Sequence, residues 1–138
     1  MTYSFVLFIT KPQCLPALDF GRSAANALDV RRASTALQLE NALNLATKNR
    51  DELLGLNLEL PFLTSKVAGL PDGPTKDEAA TELRHATERR ADLLDPTLAA
   101  NPIDASKREF ELGQLQVRFA EATSYVAQLQ AHHDGLAA

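Results

Sequence analysis

The strongest constraint on the fold is a regular apolar spacing near the C-terminal end of the chain. Between residues 104 and 133, one set of apolar side chains recurs at steps of three or four: Leu112, Leu115, Phe119, Ala122, Val126 and Leu129. This spacing places them on one face of an α-helix and resembles the seam of a coiled coil. A second row with seven-residue spacing runs alongside: Phe110, Val117, Ser124 and Ala131. A helix with two such rows needs neighbours on two sides.

Two further long helices are predicted upstream. The first runs from about Asp29 to Leu54, with Gly55 as its C-cap. Its apolar face is formed by Ala36, Leu39, Leu43, Ala46, Arg50 and Leu53. The second begins at a capping box, Thr75–Glu78, and ends near Leu94, before Asp95-Pro96. Its apolar face is formed by Ala79, Leu83, Ala86, Leu93 and Leu94.

The remaining helical signals are shorter. Pro16 can open a helical stretch that reaches Leu28, and a short helix is predicted over residues 64–70, before the turn at Pro71-Asp72-Gly73-Pro74. Asp104 or Ser106 is predicted to cap the final helix. The connector of residues 95–102 is stiffened by its two prolines.

The N-terminal segment has a different pattern. Residues 3–9 are aromatic and β-branched, which predicts a short strand or extended arm, with a helix as the alternative. The only other alternating segment, Leu54–Phe62, has leucine at every second position up to Leu60 and fits a strand and a helix equally well, because leucine and glutamate are also good helix formers. The arm therefore has two alternatives, pairing with residues 56–62 of its own chain or with another subunit.

Together these features predict an all-α, or nearly all-α, fold. The chain has 138 residues, of which 45% are hydrophobic and only 6% aromatic, as expected of one globular domain rich in packed helices. We predict an antiparallel helical bundle with long helices. It divides into an extended arm (1–15), N-terminal helices (16–70) and a helical hairpin (75–133).

No residue pattern indicates catalysis, a cofactor or a metal site. His132 and His133 are adjacent, so on a helix they point about 100° apart and cannot share a metal ion. His85 has arginines nearby and no second ligand at suitable spacing. The single cysteine, Cys14, has no second thiol with which to form a disulfide. We therefore expect a protein that is not an enzyme.

The apolar arm and the second apolar row instead favour self-association. The residues predicted to mediate it are Phe5, Phe8, Ile9, Phe110 and Val117. The predicted function is a structural subunit of a homo-oligomer, such as a component of a viral, phage or bacterial filament, tube or secretion assembly. The first alternative is a small helical adaptor or chaperone that binds the helix of a protein partner.

The second alternative is a nucleic-acid-binding or packaging protein that uses Arg84, Arg89 and Arg90. It is less favoured, because acidic residues interleave with these arginines and no aromatic side chains accompany them. The net charge of -4 gives no general attraction to nucleic acid. No export signal and no membrane span are expected, which predicts a cytoplasmic protein or one within a macromolecular assembly.

Overall fold

A computed structural model of the chain describes residues 2–97 and 102–137. It contains one turn of 3-10 helix, Phe5–Leu7, and three α-helices: α1 (Lys11–Gly69), α2 (Pro74–Leu94) and α3 (Pro102–Gly135). The described residues contain no strand. The prediction of an all-α fold is confirmed, whereas the strand alternatives for residues 3–9 and 54–60 are wrong. The first segment contains the 3-10 turn and the second lies within α1.

Helix α1 is one continuous element where the sequence predicted several. It begins before Pro16, at Lys11, so residues 11–15 are helical and not part of the arm. It also continues through Gly55 and Pro61, so Gly55 is not a C-cap and residues 64–70 do not form a separate helix. Each interior proline removes one backbone hydrogen bond, because its nitrogen carries no hydrogen.

The inward face of α1 explains why the helix continues through these breaks. Its side chains fall at alternating steps of four and three along the whole helix, and each is buried or half-buried. They are Cys14, Leu18, Gly21, Ala25, Leu28, Arg32, Thr35, Leu39, Ala42, Ala46, Asn49, Leu53, Leu56, Leu60, Leu63 and Val67. The predicted face is confirmed at Leu39, Ala46 and Leu53, but Ala36, Leu43 and Arg50 are exposed. Burial of Leu56 and Leu63, on either side of Pro61, offsets the lost hydrogen bond.

The start of α1 is a capping arrangement that the sequence analysis missed. The Gln13 side chain reaches back, and its Oε1 accepts hydrogen bonds from the backbone N–H groups of Ile9 at 2.9 Å and Thr10 at 3.2 Å. The residues Thr10-Lys11-Pro12-Gln13 have the Thr-x-x-Gln spacing of a capping box. Pro12, in the first turn, has no N–H that would need a partner.

Helix α2 begins one residue before its predicted capping box. Gly73 is the N-cap and Pro74 the first helical residue, so Thr75 lies inside the helix and makes no capping hydrogen bond. Gly73 has φ of +151°, a conformation that side chains rarely adopt and that glycine adopts freely. The predicted end at Leu94 is confirmed. There the Asp95 carboxylate accepts hydrogen bonds from the backbone N–H and the hydroxyl of Thr97, which lower the pKa of Asp95.

Helix α3 is slightly longer at both ends than predicted. It begins at Pro102, a residue type suited to a first helical position, so Asp104 and Ser106 lie inside the helix and are not caps. It ends at Gly135, two residues beyond the predicted His133. Residues 98–101 of the predicted stiff connector lie outside the described residues.

The chain forms two compact units. Unit 1 comprises Met1–Gln38 with Arg108–Ala138, and unit 2 comprises Leu39–Lys107. In unit 2, α1 and α2 run antiparallel, with Glu52 of α1 hydrogen-bonded to Arg89 of α2 and Asn57 to Arg90. The inward face of α2 again follows heptad spacing: Lys76, Ala79, Leu83, Ala86, Arg90 and Leu93. Leu94, which the sequence placed on this face, is 50% exposed.

In unit 1, α1 packs antiparallel against α3. Arg22 of α1 donates to Gln130 of α3 at 2.7 Å, and Arg108 near the start of α3 donates to Gln38 at 2.7 Å. Between them, the Arg32 guanidinium lies 4.2 Å from the centre of the Phe119 ring. The residues that the sequence placed on the α3 seam are all buried or half-buried: Leu112, Leu115, Phe119, Ala122, Val126 and Leu129.

The two helices of unit 1 pack tightly against each other at Gly21. A Cβ atom there would lie 2.8 Å from Cδ1 of Tyr125 and 2.9 Å from Cγ2 of Val126. Both distances are shorter than carbon atoms tolerate, so the residue at this crossing must be glycine for the helices to pack as closely as they do.

We predict that Gly21→Ala destabilises the fold by about 1–3 kcal/mol, because the added methyl group overpacks the crossing. Gly55→Ala is the matched control, since a Cβ at this interior position of the same helix meets no atom within 4 Å. Alanine there should stabilise the helix by about 0.5–1 kcal/mol. Urea denaturation followed by circular dichroism measures both changes. A neutral or stabilising effect of Gly21→Ala would contradict the close crossing.

Candidate self-association surface

An aromatic cluster holds the N-terminal segment against the two helices of unit 1. Tyr3 and Phe5 stack with ring centres 5.3 Å apart, and Tyr125 of α3 meets their rings edge-on at 5.0 Å and 5.2 Å. Phe8 adds a tilted contact to Phe5 at 6.4 Å. These rings cover the fully buried side chains of Cys14, Leu18 and Leu129, which form the core of the unit together with Phe5.

Two hydrogen bonds between α3 and the N-terminal segment also hold the segment in place. The Tyr3 hydroxyl donates to Oε1 of Glu121, and Nε2 of His132 donates to the Phe8 carbonyl oxygen at 2.8 Å. Because a carbonyl oxygen can only accept, Nε2 of His132 carries the proton. The hydrogen bond to Glu121 is the main cause that raises the pKa of Tyr3 to about 12, with desolvation contributing in the same direction.

Beside this cluster lies an apolar groove that α1 and α3 form together. It has a volume of about 440 Å³. Its lining residues are Tyr3, Phe20, Gly21, Ala24, Leu28, Val117, Arg118, Glu121, Ala122 and Tyr125. Phe20 and Val117 line it while remaining 70% and 71% exposed. The place of Phe20 in this lining was not predicted from the sequence, where its only signal is that it falls outside the seven-residue seam of α1.

The five residues predicted to mediate self-association lie in different environments. Phe5 is buried and Phe8 half-buried within their own chain, so the arm packs intramolecularly. Ile9 is 71% exposed. Phe110 and Val117 are 69% and 71% exposed, and both line a shallow hollow on α3 with Gly113, Gln114 and Arg118. The second apolar row of α3 thus faces solvent at these two positions, and a role in self-association stays a prediction.

The three arginines predicted to form a basic face belong to unit 2, and each has a partner there. Arg89 binds both carboxylate oxygens of Glu52, at 2.6 Å and 2.8 Å. Nε of Arg90 donates to Oδ1 of Asn57 at 2.7 Å, and Nε of Arg84 lies 3.9 Å from the Glu88 carboxylate. The Arg89 guanidinium lowers the pKa of Glu52, chiefly through its hydrogen bonds. Only Arg89 would have to give up a bidentate partner to present the same edge of its guanidinium group to a phosphate, while the acidic and amide neighbours reduce the positive potential at all three.

The residues that the structure describes contain neither a cluster of metal-ligating side chains nor a helix suited to cross a membrane. No group of three or more His, Cys, Asp or Glu side chains in residues 2–97 and 102–137 is arranged to hold a metal ion. None of the described helices is both long and apolar enough to cross a membrane.

Comparisons of the chain with protein-family models, with curated proteins and with solved structures gave no match. The class of the protein is therefore defined by its fold, an all-α helical bundle in which α1 packs antiparallel against α3.

The Tyr3 contact makes a testable prediction about pH. Because the folded pKa of Tyr3 is raised above the ordinary value of 10.0, its hydroxyl contributes stability that is fully present below pH 10 and lost as the pH rises through about 12. A tyrosinate absorbance titration should show a transition near pH 12 that Tyr3→Phe removes. Glu121→Gln is the control that removes the negative charge, and it should move the transition towards the ordinary value. A Tyr3 transition at the ordinary value in the wild-type chain would contradict the contact.

The Arg89–Glu52 pair predicts a second pH effect. Since the pKa of Glu52 is lowered, the pair contributes stability above the ordinary glutamate pKa and loses it as the pH falls through the lowered value. We expect Arg89→Gln to lower Tm at neutral pH and low salt. The Tm difference between this variant and the wild-type chain should vanish in acid and become smaller in high salt. Arg84→Gln removes a longer ion pair, 3.9 Å and without a hydrogen bond, and should change Tm less. An equal effect of the two substitutions would contradict a special role for the bidentate pair.

Proposed function

We propose that this chain is a non-enzymatic structural subunit that self-associates through exposed apolar surfaces of its helices and its N-terminal segment. The observation that carries the proposal is the groove of unit 1, where Phe20 and Val117 remain 70% and 71% exposed beside an apolar floor. Single exposed apolar side chains are common on soluble proteins. Large apolar side chains gathered around one groove are instead typical of a surface that another chain covers.

The N-terminal segment supplies a second apolar surface in the same unit. Phe5 points into the core, while Val6, Leu7 and Ile9 are 77%, 77% and 71% exposed. The aromatic cluster and the His132 hydrogen bond hold the backbone of this segment in place. Its outward side chains are therefore presented by an ordered segment, which lowers the entropy cost of binding.

A subunit with two such surfaces can contact more than one neighbour, as filaments, tubes and layered shells require. This supports a component of a viral, phage or bacterial filament, tube or secretion-type assembly, within which the protein would reside. The nucleic-acid alternative gains less support, because Arg84, Arg89 and Arg90 already lie beside acidic or amide partners.

We expect Val117→Lys to reduce the solution mass of the protein, because it places a charge where a second chain would bury an apolar side chain. Light scattering across a concentration series measures the mass. Val30→Lys is the matched control, because Val30 is 69% exposed on α1 but does not line the groove. The solution mass of this variant should equal that of the wild-type protein.

Circular dichroism should show wild-type helicity for both variants. A wild-type chain that is monomeric at every concentration would overturn the proposal and favour an adaptor that binds the helix of a different protein. A wild-type chain that assembles, with Val30→Lys as damaging as Val117→Lys, would overturn the assignment to the groove.

A further inference from the structure

We propose that the exposed face of α3 between Phe110 and Arg118 is a two-fold interface at which α3 packs antiparallel against α3 of a second copy. This inference rests on the proposed self-association and names the surface, the orientation and the partner. It concerns the outer side of α3, since the inner side is occupied by α1.

The face has the composition of a helix-packing surface. Phe110 and Val117 are seven residues apart, so they lie in one row along the helix, and both are exposed. Gln114 lies between them, and Gly113 lies at the edge of the row, where a Cβ would meet nothing within 4 Å. The missing side chain at Gly113 would allow a second helix to approach closely.

The charges beside this row select a second copy as the partner. Glu111 and Arg118 each follow one residue after an apolar member of the row, so they lie on the same flank of α3. They carry opposite charges, and neither forms an ion pair with another side chain in the described ranges. One flank therefore presents a negative and a positive group about 10 Å apart along the helix, at roughly 1.5 Å per residue.

Antiparallel packing about a two-fold axis near Gln114 satisfies both charges at once. In such a pair each flank faces the same flank of its partner, and residues at about the same level have numbers that add to nearly the same sum. Phe110 then meets the partner's Val117, and Glu111 meets the partner's Arg118, with sums of 227 and 229. Gln114 meets its own counterpart, where one amide can donate to the other. A parallel arrangement would instead set this flank opposite the other flank of the partner, where Gly113 and Ala120 offer no charge, and would leave both groups unpaired.

Charge reversal tests this arrangement. Glu111→Arg and Arg118→Glu should each weaken dimerisation at least about tenfold at low salt, because each sets two like-charged pairs across the axis. The double variant Glu111→Arg with Arg118→Glu should restore the wild-type dissociation constant. An equimolar mixture of the two single variants should form heterodimers, since their flanks are then complementary. Glu40→Arg is the control, an equal charge change at an exposed position of α1.

Thiol cross-linking tests the orientation independently. Gln114→Cys lies at the proposed axis and should be joined to its counterpart by a short bismaleimide, whereas Gln116→Cys, on another face of α3, should not. The native Cys14 is fully buried and should not react.

The outcomes separate this inference from the proposed function. If the wild-type chain associates but the single reversals dimerise normally, or the double variant and the mixture fail to recover, the α3 interface is overturned and self-association stands. Cross-linking at Gln116 and not at Gln114 would overturn it in the same way. A wild-type chain that never associates would overturn both.

Discussion

The structure depends on seven-residue spacing that runs along the inward face of every long helix. On α1 it extends from Cys14 to Val67 without a break, and α2 and α3 repeat it. This spacing keeps the inward side chains of one helix aligned with those of an antiparallel neighbour over many turns. Leucine is the most frequent residue on the inward face of α1, so each unit is held by a narrow apolar seam, and Gly21 allows the two helices of unit 1 to pack closely.

A narrow seam leaves its ends open to water, and the N-terminal segment closes one of them. The rings of Tyr3, Phe5 and Phe8 cover Leu18 and Leu129, which are 1% and 0% exposed. The packing of the N-terminal segment over this end depends on α3 as well as on the segment itself. Tyr125 contributes an aromatic ring, and Glu121 and His132 contribute hydrogen bonds. Local sequence gives residues 3–9 a strand-like composition, but packing on this seam gives them a different conformation.

The sequence predicted best where apolar periodicity was strong and failed where tertiary packing opposed a local signal. The face of α3 and most of the face of α2 follow from apolar spacing, and the end of α2 at Leu94 follows from Asp95-Pro96. Gly55, Pro61 and the leucine alternation at 54–60 gave local reasons to end α1, yet burial of Leu56 and Leu63 continues the helix. The groove could not be predicted from the sequence, because it is lined by two helices that are far apart along the chain. Only the structure shows that Gly21 of α1 packs against Tyr125 of α3.

The outward row of α3 has the same seven-residue spacing as the inward seams. This spacing distinguishes it from other exposed apolar residues. Val30 on α1 is equally exposed, but isolated side chains of this kind need no partner. Phe110 and Val117 are spaced by seven and flanked by Glu111 and Arg118 at matching positions. Within unit 1, α3 has a helical neighbour on its inward side only, so a helix packed on this row would give it the second neighbour that two apolar rows require.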